Sequence, residues 1–468
     1  MFSDAKPFTN LSTGLSYKSR TYRFCRYILF SSNPNEAVLA NLLNHSVIRI
    51  EHDELLYLMQ MQTNSSISTS LNGLASCLVS ERFLLPDTDD NAEKAILRER
   101  YRVAREEGTG FGITVGLTMK CNFACDYCYE NHDIPSISPQ TIERLKRHFL
   151  KRLGTFKKFA VLWFGGEPLL CIKHIKNLSS FLIRECCSHN INYSAYIITN
   201  GYLLSPGFAD DLLSLGVDDF QITIDGMHES HDRSRPLRSG RGSFERIIAN
   251  LRAVASRIPS LRIRTNISSQ SADELKALVD ILSDLNGNHN ISIQLMPVHR
   301  ESLGLSKSCE GCTDCHLATH ANFRAWRTVV DQVEEYAISK GLNTVAVRHR
   351  SGLPYCNAYM HKCIIVDPVA NCYFCTGDIG RAERRIGFLD ESGELIHDTL
   401  YEQYRRLDPF AEDECNQCEM LPLCMGGCFK FAIQSGKTNG RCIMKALFPS
   451  KFPRALELGV NDPVGSAT

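Results

Sequence analysis

Three cysteines in the run Cys121-Asn122-Phe123-Ala124-Cys125-Asp126-Tyr127-Cys128 carry the first chemical signal in this chain. A Cys-x3-Cys-x2-Cys spacing lets one short loop wrap three thiolates around one cubane iron–sulfur cluster, leaving the fourth iron without a protein ligand. Structural zinc sites and electron-transfer clusters use four protein ligands, so an open corner is there to hold something else. The competing reading is a zinc loop completed by a distant residue such as His132.

The chain has 468 residues, with 52 Lys+Arg against 52 Asp+Glu and a formal net charge of zero. That length predicts two or three domains. The charge balance argues against a nucleic acid or an anionic membrane as the main partner. No apolar run reaches the length of a membrane span, and the N-terminus lacks the apolar core of a secretory signal. In such a chain, 20 cysteines at close spacings read as metal thiolates kept reduced in a cytoplasm, not as disulfides. Cys25, Cys77, Cys171, Cys186, Cys187 and Cys372 fall outside the best spacings, and most of them read as small buried apolar residues.

The elements that must position the loop come next. Apolar strands are expected at Gly112–Thr118, Phe159–Phe164, Tyr193–Thr199, Asp219–Ile224, Leu261–Ile267 and Ile291–Met296. Amphipathic helices are expected at Pro139–Leu153, Ile172–Cys187, Pro206–Leu215, Ser243–Ser256 and Asp273–Leu285. Six strand-then-helix units imply an α/β fold with a parallel sheet and right-handed crossovers. The count fits an incomplete (β/α)6 barrel better than a closed eight-stranded one. The cysteine loop follows the first strand, Gly165-Gly166-Glu167-Pro168 the second, Asn200-Gly201 the third and Asp225-Gly226 the fourth. Parallel α/β proteins build their sites at the carboxyl ends of strands, so the four motifs converge. Each is also readable as turn chemistry alone, and Trp163 reads as core.

The segments Cys121–Glu130, Gly165–Pro168, Thr199–Gly201 and Gln221–Gly226 resemble the core of radical S-adenosylmethionine (radical SAM) enzymes. The resemblance implies that Cys121, Cys125 and Cys128 ligate a [4Fe–4S] cluster whose open iron chelates the amino and carboxylate groups of SAM. It further implies that Tyr127 gives backbone contacts to adenine, that Gly165 and Gly166 let backbone approach SAM, and that Glu167 accepts from its ammonium. Asn200 and Asp225 are candidate ligands at the same strand ends. Thr223 points into the mouth by alternation, where it could bind ribose or carboxylate. His228, His231, Asp232 and Arg235 follow the fourth strand, but in a polar loop such residues are expected to be solvated.

Beyond residue 350 the order Cys356, Cys363, Cys375, Cys415-x2-Cys418-x5-Cys424-x3-Cys428 and Cys442 resembles the SPASM extension, which carries two auxiliary [4Fe–4S] clusters. Alone, Cys415–Cys428 would also read as a zinc ribbon. The resemblance assigns Cys356, Cys363, Cys375 and Cys428 to one auxiliary cluster and Cys415, Cys418, Cys424 and Cys442 to the other. One departure is visible: Ala370 stands where the pattern has glycine at a hairpin turn, so the turn must take another form, involving Asn371. Cys309, Cys312 and Cys315 form a further loop that the pattern does not explain.

Residues 1–107 read as a separate α+β region, with strands at Thr21–Ser31 and Ala37–Ile50, short helices at Glu54–Gln62 and Leu71–Phe83, and a charged helix at Ala92–Glu107. The order resembles the small winged-helix modules that hold leader peptides by adding a strand to a sheet edge; a structural cap is the alternative. The expected organisation is then the partial barrel over 108–300, a linker over 301–350, the auxiliary-cluster domain over 351–448 and an irregular tail over 449–468. The resemblance implies that an electron from a donor such as flavodoxin or ferredoxin cleaves SAM to a 5′-deoxyadenosyl radical, which abstracts hydrogen from a ribosomally made precursor peptide. Net oxidation, expected as a side-chain cross-link, would follow. The alternatives are formylglycine formation in a sulfatase and a non-catalytic electron relay. Sulfatase-modifying relatives carry an aspartate base after the middle auxiliary cysteine, where this chain has Thr376 and, nearest, Asp378. No catalytic base is assignable from the sequence.

Overall fold

The computed structural model describes residues 21–32, 35–44, 46–56, 67–68, 73–86, 92–298, 320–344, 356, 358, 360 and 362–435. Cys309, Cys312, Cys315 and Cys442 lie outside these residues, as does 57–62 of the expected helix Glu54–Gln62. Two compact units form: Met1–Glu107 with Val347–Met360 and Leu407–Thr468, and Gly108–Ala346 with His361–Arg406.

In the first unit Thr21–Phe24 (β1), Ile28–Ser32 (β2), Glu36–Asn41 (β3), Val47–Glu51 (β4), Ile67–Ser68 (β5) and Leu84–Pro86 (β6) make two antiparallel sheets, ordered β5-β1-β6 and β2-β3-β4. Each of the two long expected strands is therefore two strands. The first follows β6 as far as Cys25, whose N donates to Phe83 O (2.8 Å), and breaks where Arg26 N donates to the Glu93 carboxylate (2.8 Å), drawing the backbone out of the ladder. The second turns because Asn41 Oδ1 accepts from Leu43 N (2.9 Å), a side chain standing in for a backbone turn. Helices Gly73–Ser80 (α1) and Ala92–Arg102 (α2) follow, and α2 runs on as a π-turn over Val103–Glu107. Tyr22, Leu39, Ile50, Leu55, Leu78 and Phe83 form the core of this region. In the same unit, Asp413–Asn416, Leu421–Cys424 and Phe429–Ser435 are short helices.

The second unit alternates strand and helix: Gly110–Thr118 (β7), Pro139–Leu150 (α3), Lys158–Gly165 (β8), Ile172–Ser188 (α4), Asn192–Thr199 (β9), Pro206–Ser214 (α5), Val217–Thr223 (β10), His228–Ser234 (α6), Phe244–Val254 (α7), Ser260–Ile267 (β11), Ala272–Leu285 (α8) and Ile291–Pro297 (β12). Serine caps start three of these helices. Ser138, Ser205 and Ser271 accept from the backbone N–H three residues on, and Pro139 and Pro206 occupy the first helical position. Every residue of β7 is buried, as a strand covered on both faces requires.

After His320–Ser339 (α9) the chain adds Asn343–Thr344 (β13), Cys363–Val366 (β14), Asn371–Tyr373 (β15), Gly387–Leu389 (β16), Leu395–His397 (β17) and Thr399–Arg406 (α10). The sheet has 11 strands in the order β13-β12-β11-β10-β9-β8-β7-β14-β15-β16-β17. It is parallel from β13 to β14 and antiparallel beyond. The join at β7 was not anticipated by the strand pattern: Cys363–Val366 pairs in parallel with Gly112–Val115.

The turn at Ala370 keeps the geometry that glycine would give. Ala370 has φ +70° and is fully buried. Asp367 holds it there by accepting from Val369 N (3.0 Å), Asn371 N (2.9 Å), Asn371 Nδ2 (3.1 Å) and Tyr373 OH (3.0 Å). A left-handed alanine costs about 1–2 kcal/mol, which four hydrogen bonds to one carboxylate can offset.

Candidate active site at the strand ends

The cysteine loop is pinned along its length by backbone bonds. Ala124 N donates to Pro236 O (2.8 Å), Arg238 N to Asn122 O (3.0 Å) and Asp126 N to Ser234 O (3.3 Å), so the chain after α6 forms one wall. The turn after β8 forms another, with Gly166 N donating to Thr118 O (2.9 Å) and Glu167 N to Lys120 O (3.0 Å). Gly165, at φ +120°, and Gly166 make this approach possible. A Cβ at 165 would lie 2.1 Å from Thr118 O, and one at 166 would lie 2.4 Å from Lys120 O. These glycines bring backbone against the root of the cysteine loop. Phe123 anchors the loop in the interior, 1% exposed and edge-on to Tyr202.

Glu167 is fully buried and ties β8 to β9. Its Oε1 accepts from Leu169 N (3.0 Å) and Thr199 Oγ1 (2.7 Å), and its Oε2 from Asn200 N (2.8 Å). Burial raises the carboxyl above its usual range and these donors draw it back. Asn200 then reaches the loop: its Nδ2 donates to Asn122 Oδ1 (2.8 Å) and lies 3.7 Å from Cys121 Sγ. Thr223 keeps 7% exposure between Ile222 and Ile224, which keep none.

Asp225 centres a second network. Tyr127 OH donates to its Oδ2, Asn266 N to its Oδ1 (2.8 Å), and Arg235 Nη1 lies 3.7 Å away. Arg235 Nη1 and Asn266 Nδ2 also donate to Tyr127 OH. His231 accepts from Asp225 N at Nδ1 (3.1 Å) and meets Ser243 Oγ at Nε2 (3.0 Å). Burial, with Arg235 beside it, pushes His231 down to about 2, so it stays neutral. The segment after the fourth strand is thus the helix α6 and not a solvated polar loop: Arg235 is 7% and His231 0% exposed, while the His228 side chain is 57% exposed. Sequence reasoning gave no role to Asn122 or Asn266. The available signal was alternation in β11, where Arg262, Arg264 and Asn266 are half-buried between fully buried neighbours. In register, Gln221, Arg262 and Ser292 form one row of this face and Thr223, Arg264 and Gln294 the next.

The donor set suits a thiolate cluster. Cys121, Cys125 and Cys128 are half-buried, and none of the described cysteines is in a disulfide. N–H groups point at sulfur, with Phe123 N 3.4 Å and Asn200 Nδ2 3.7 Å from Cys121 Sγ, and such bonds tune iron–sulfur thiolates. Burial raises all three thiols, Cys121 to about 12 and Cys128 to about 11. A bound cation would supply the charge that makes them thiolates. Among the described residues no three His, Cys, Asp or Glu converge on a single ion; a four-iron cube holds its thiolates farther apart than one ion does. Of the later cysteines, Cys356, Cys415, Cys418, Cys424 and Cys428 belong to the first unit and Cys363 and Cys375 to the second. Cys356 is raised to about 11 by burial, with Cys428 as a neighbouring thiol. Among the described residues no helix is long and apolar enough to cross a membrane.

Comparison with known proteins agrees with this geometry. The chain is 22% identical over 319 residues to a serine-type anaerobic sulfatase-maturating enzyme of Klebsiella aerogenes, covering 66% of this chain and 76% of that protein. The solved structure of anSMEcpe with bound AdoMet and Cp18Cys peptide superposes with a TM-score of 0.56 at 16% identity, over 75% of this chain and 99% of that one. Streptococcus suis SuiB bound to its precursor peptide SuiA gives 0.50 at 15% identity, over 90% and 98%. Residues 115–282 match the family model of the radical SAM superfamily. Residues 115–282 therefore form a radical SAM domain, a superfamily whose members use a [4Fe–4S] cluster and SAM.

Proposed function

We propose that this chain is a radical SAM maturase of a ribosomally made precursor peptide, installing an oxidative modification whose expected form is a side-chain cross-link. The observation that carries the reading is the wiring of the cysteine loop into three other strand ends, through Asn200–Asn122, Glu167–Lys120 and Tyr127–Asp225. In this reading Cys121, Cys125 and Cys128 hold the first cluster, and Tyr127, Gly165, Gly166, Glu167, Asn200, Thr223 and Asp225 shape the SAM site. Three of the roughly four acceptor positions on Glu167 are filled, which leaves one for an ammonium. When bound, cluster and SAM together supply a 5′-deoxyadenosyl radical able to take hydrogen from an unactivated carbon. The residues of the chain fix the loop, keep water out and orient the substrate. Cys356, Cys363, Cys375, Cys415, Cys418, Cys424, Cys428 and Cys442 are proposed as SPASM ligands of auxiliary clusters, with flavodoxin or ferredoxin as electron donor.

A peptide substrate is supported by the N-terminal region, where among the described residues the sheet β2-β3-β4 has β2 and β4 as edges to which an extended peptide can add. The SuiB–SuiA match also extends over 90% of the chain. A second reading, sulfatase maturation, is favoured by the Klebsiella relative. Against it stands Thr376 after Cys375; the nearest acid, Asp378, is 3% exposed in the 3-10 turn Thr376–Asp378. The test is anaerobic reconstitution with reductant, SAM and either a precursor peptide or a sulfatase-derived peptide. We expect 5′-deoxyadenosine release that Cys125→Ala abolishes, and loss of two hydrogens from the precursor without a hydrazine-reactive carbonyl. Formylglycine in the sulfatase peptide alone would establish the second reading. Turnover surviving replacement of Cys121, Cys125 and Cys128 together would defeat both.

A further inference from the structure

A cavity of about 460 Å3 opens in the second unit at the end of the sheet away from the cysteine loop. Its walls include Phe111, second residue of β7, and Ile364, second residue of β14, together with Thr155 ahead of β8. The cysteine loop follows the carboxyl end of β7, so one strand runs between two separate sites. Four cations line the cavity, Lys151, Arg152, Lys362 and Arg405, against one carboxylate, Glu394. That carboxylate is already engaged, 3.1 Å from Lys151 Nζ. Lys362 Nζ donates to Gly108 O (2.9 Å) and Thr155 O (3.3 Å), and Arg152 Nη1 donates to His148 O (3.3 Å). These acceptors are neutral, so they orient the cations without cancelling their charge.

Aromatic rings fix the guanidiniums from behind. Arg152 lies 5.7 Å over Phe111, and Arg405 lies 4.6 Å over Phe374 and 4.9 Å over Tyr401, itself stacked on His397 at 3.7 Å. Burial lowers Arg152, which is the electrostatic cost of holding that charge away from water. The space falls within the roughly 300–1,000 Å3 of small-molecule sites, and its concavity suits a small molecule better than a nucleic-acid backbone or a membrane. We propose that this cavity binds a small organic polyanion, one bearing two or more carboxylate or phosphate groups that Arg152, Lys362 and Arg405 contact together. Planar guanidiniums and lysine ammonium groups are the donors such oxygens require.

The test is titration calorimetry of the anaerobically reconstituted full chain with pyrophosphate and, separately, citrate at low ionic strength. We expect saturable one-site binding of at least one, weakened about tenfold or more by Arg152→Gln and by Lys362→Gln and by added salt. Binding of pyrophosphate alone assigns phosphate chemistry, and binding of citrate alone assigns carboxylate chemistry. Because Arg152 also props His148, Lys362→Gln and Arg405→Gln carry the test should Arg152→Gln fail to fold. No saturable binding of either anion at millimolar concentration, or affinities unchanged in folded variants, would overturn the proposal. Cluster content and 5′-deoxyadenosine release report separately on the cysteine loop, so failure here leaves the maturase reading standing.

Discussion

At position 166 a single methyl group decides whether the cysteine loop keeps its place. It would lie 2.4 Å from Lys120 O and 2.6 Å from Met119 O, both backbone atoms that cannot rotate aside. Gly166→Ala should therefore cost about 2 kcal/mol or more, lower Tm by about 4–8 °C and reduce iron per chain after reconstitution. Unchanged iron content and melting would show that the turn relaxes freely. Tyr127→Phe tests the second network, since it strips a shared partner from Asp225, Arg235 and Asn266. Leaving such groups unpaired costs about 1–3 kcal/mol, and the loss should appear in urea unfolding with the cysteines intact. Residues of this kind divide by how they announce themselves. Cys121, Cys125, Cys128 and the Gly165–Pro168 run are legible because their chemistry lies in local spacing. Arg235, Asn122 and Asn266 are not, because their partners lie on other strands and only the folded sheet introduces them.

At the scale of elements, the six strands and five of the six helices of the α/β repeat were legible to within about three residues, since burial period and Ser-Pro caps agree there; the short α6 read as a loop. The first hundred residues were less legible. Strands Thr21–Ser31 and Ala37–Ile50 each divide because side chains such as Glu93 and Asn41 capture backbone groups, a competition no periodicity records. The hairpin at Ala370 makes the same point from the other side. A sequence pattern asks for glycine, and Asp367 supplies the bend instead. Asp367→Ala should destabilise the chain by about 2–4 kcal/mol and speed amide exchange through 367–373. Adding Ala370→Gly should recover part of that loss, because glycine accepts φ +70° without Asp367. No recovery in the double variant would show that the aspartate serves some purpose other than the bend.

At the scale of the molecule, two buried histidines set a pH dependence. Burial, with Arg152 beside it, drives His148 down to about 3, and His231 falls to about 2. The unfolded chain takes up protons on both near pH 6.5, while the folded chain does not. Their contribution is thus complete above pH 6.5 and is lost as pH falls toward 3, by about 2 kcal/mol for each at pH 5. Glu130, raised to about 8 by burial, acts in the opposite sense. The histidine part is isolated by comparing unfolding between pH 7.5 and 5 in the wild type and in His148→Gln, which should show the shallower loss. Parallel curves would contradict it. The pairing of Cys363–Val366 with Gly112–Val115 has a consequence of another kind. The strand that leads into the three cysteines lacks one neighbour until some 250 further residues have left the ribosome. A chain stopped at residue 346 would present that flank as a sticky ribbon, and is expected to aggregate where the full chain does not.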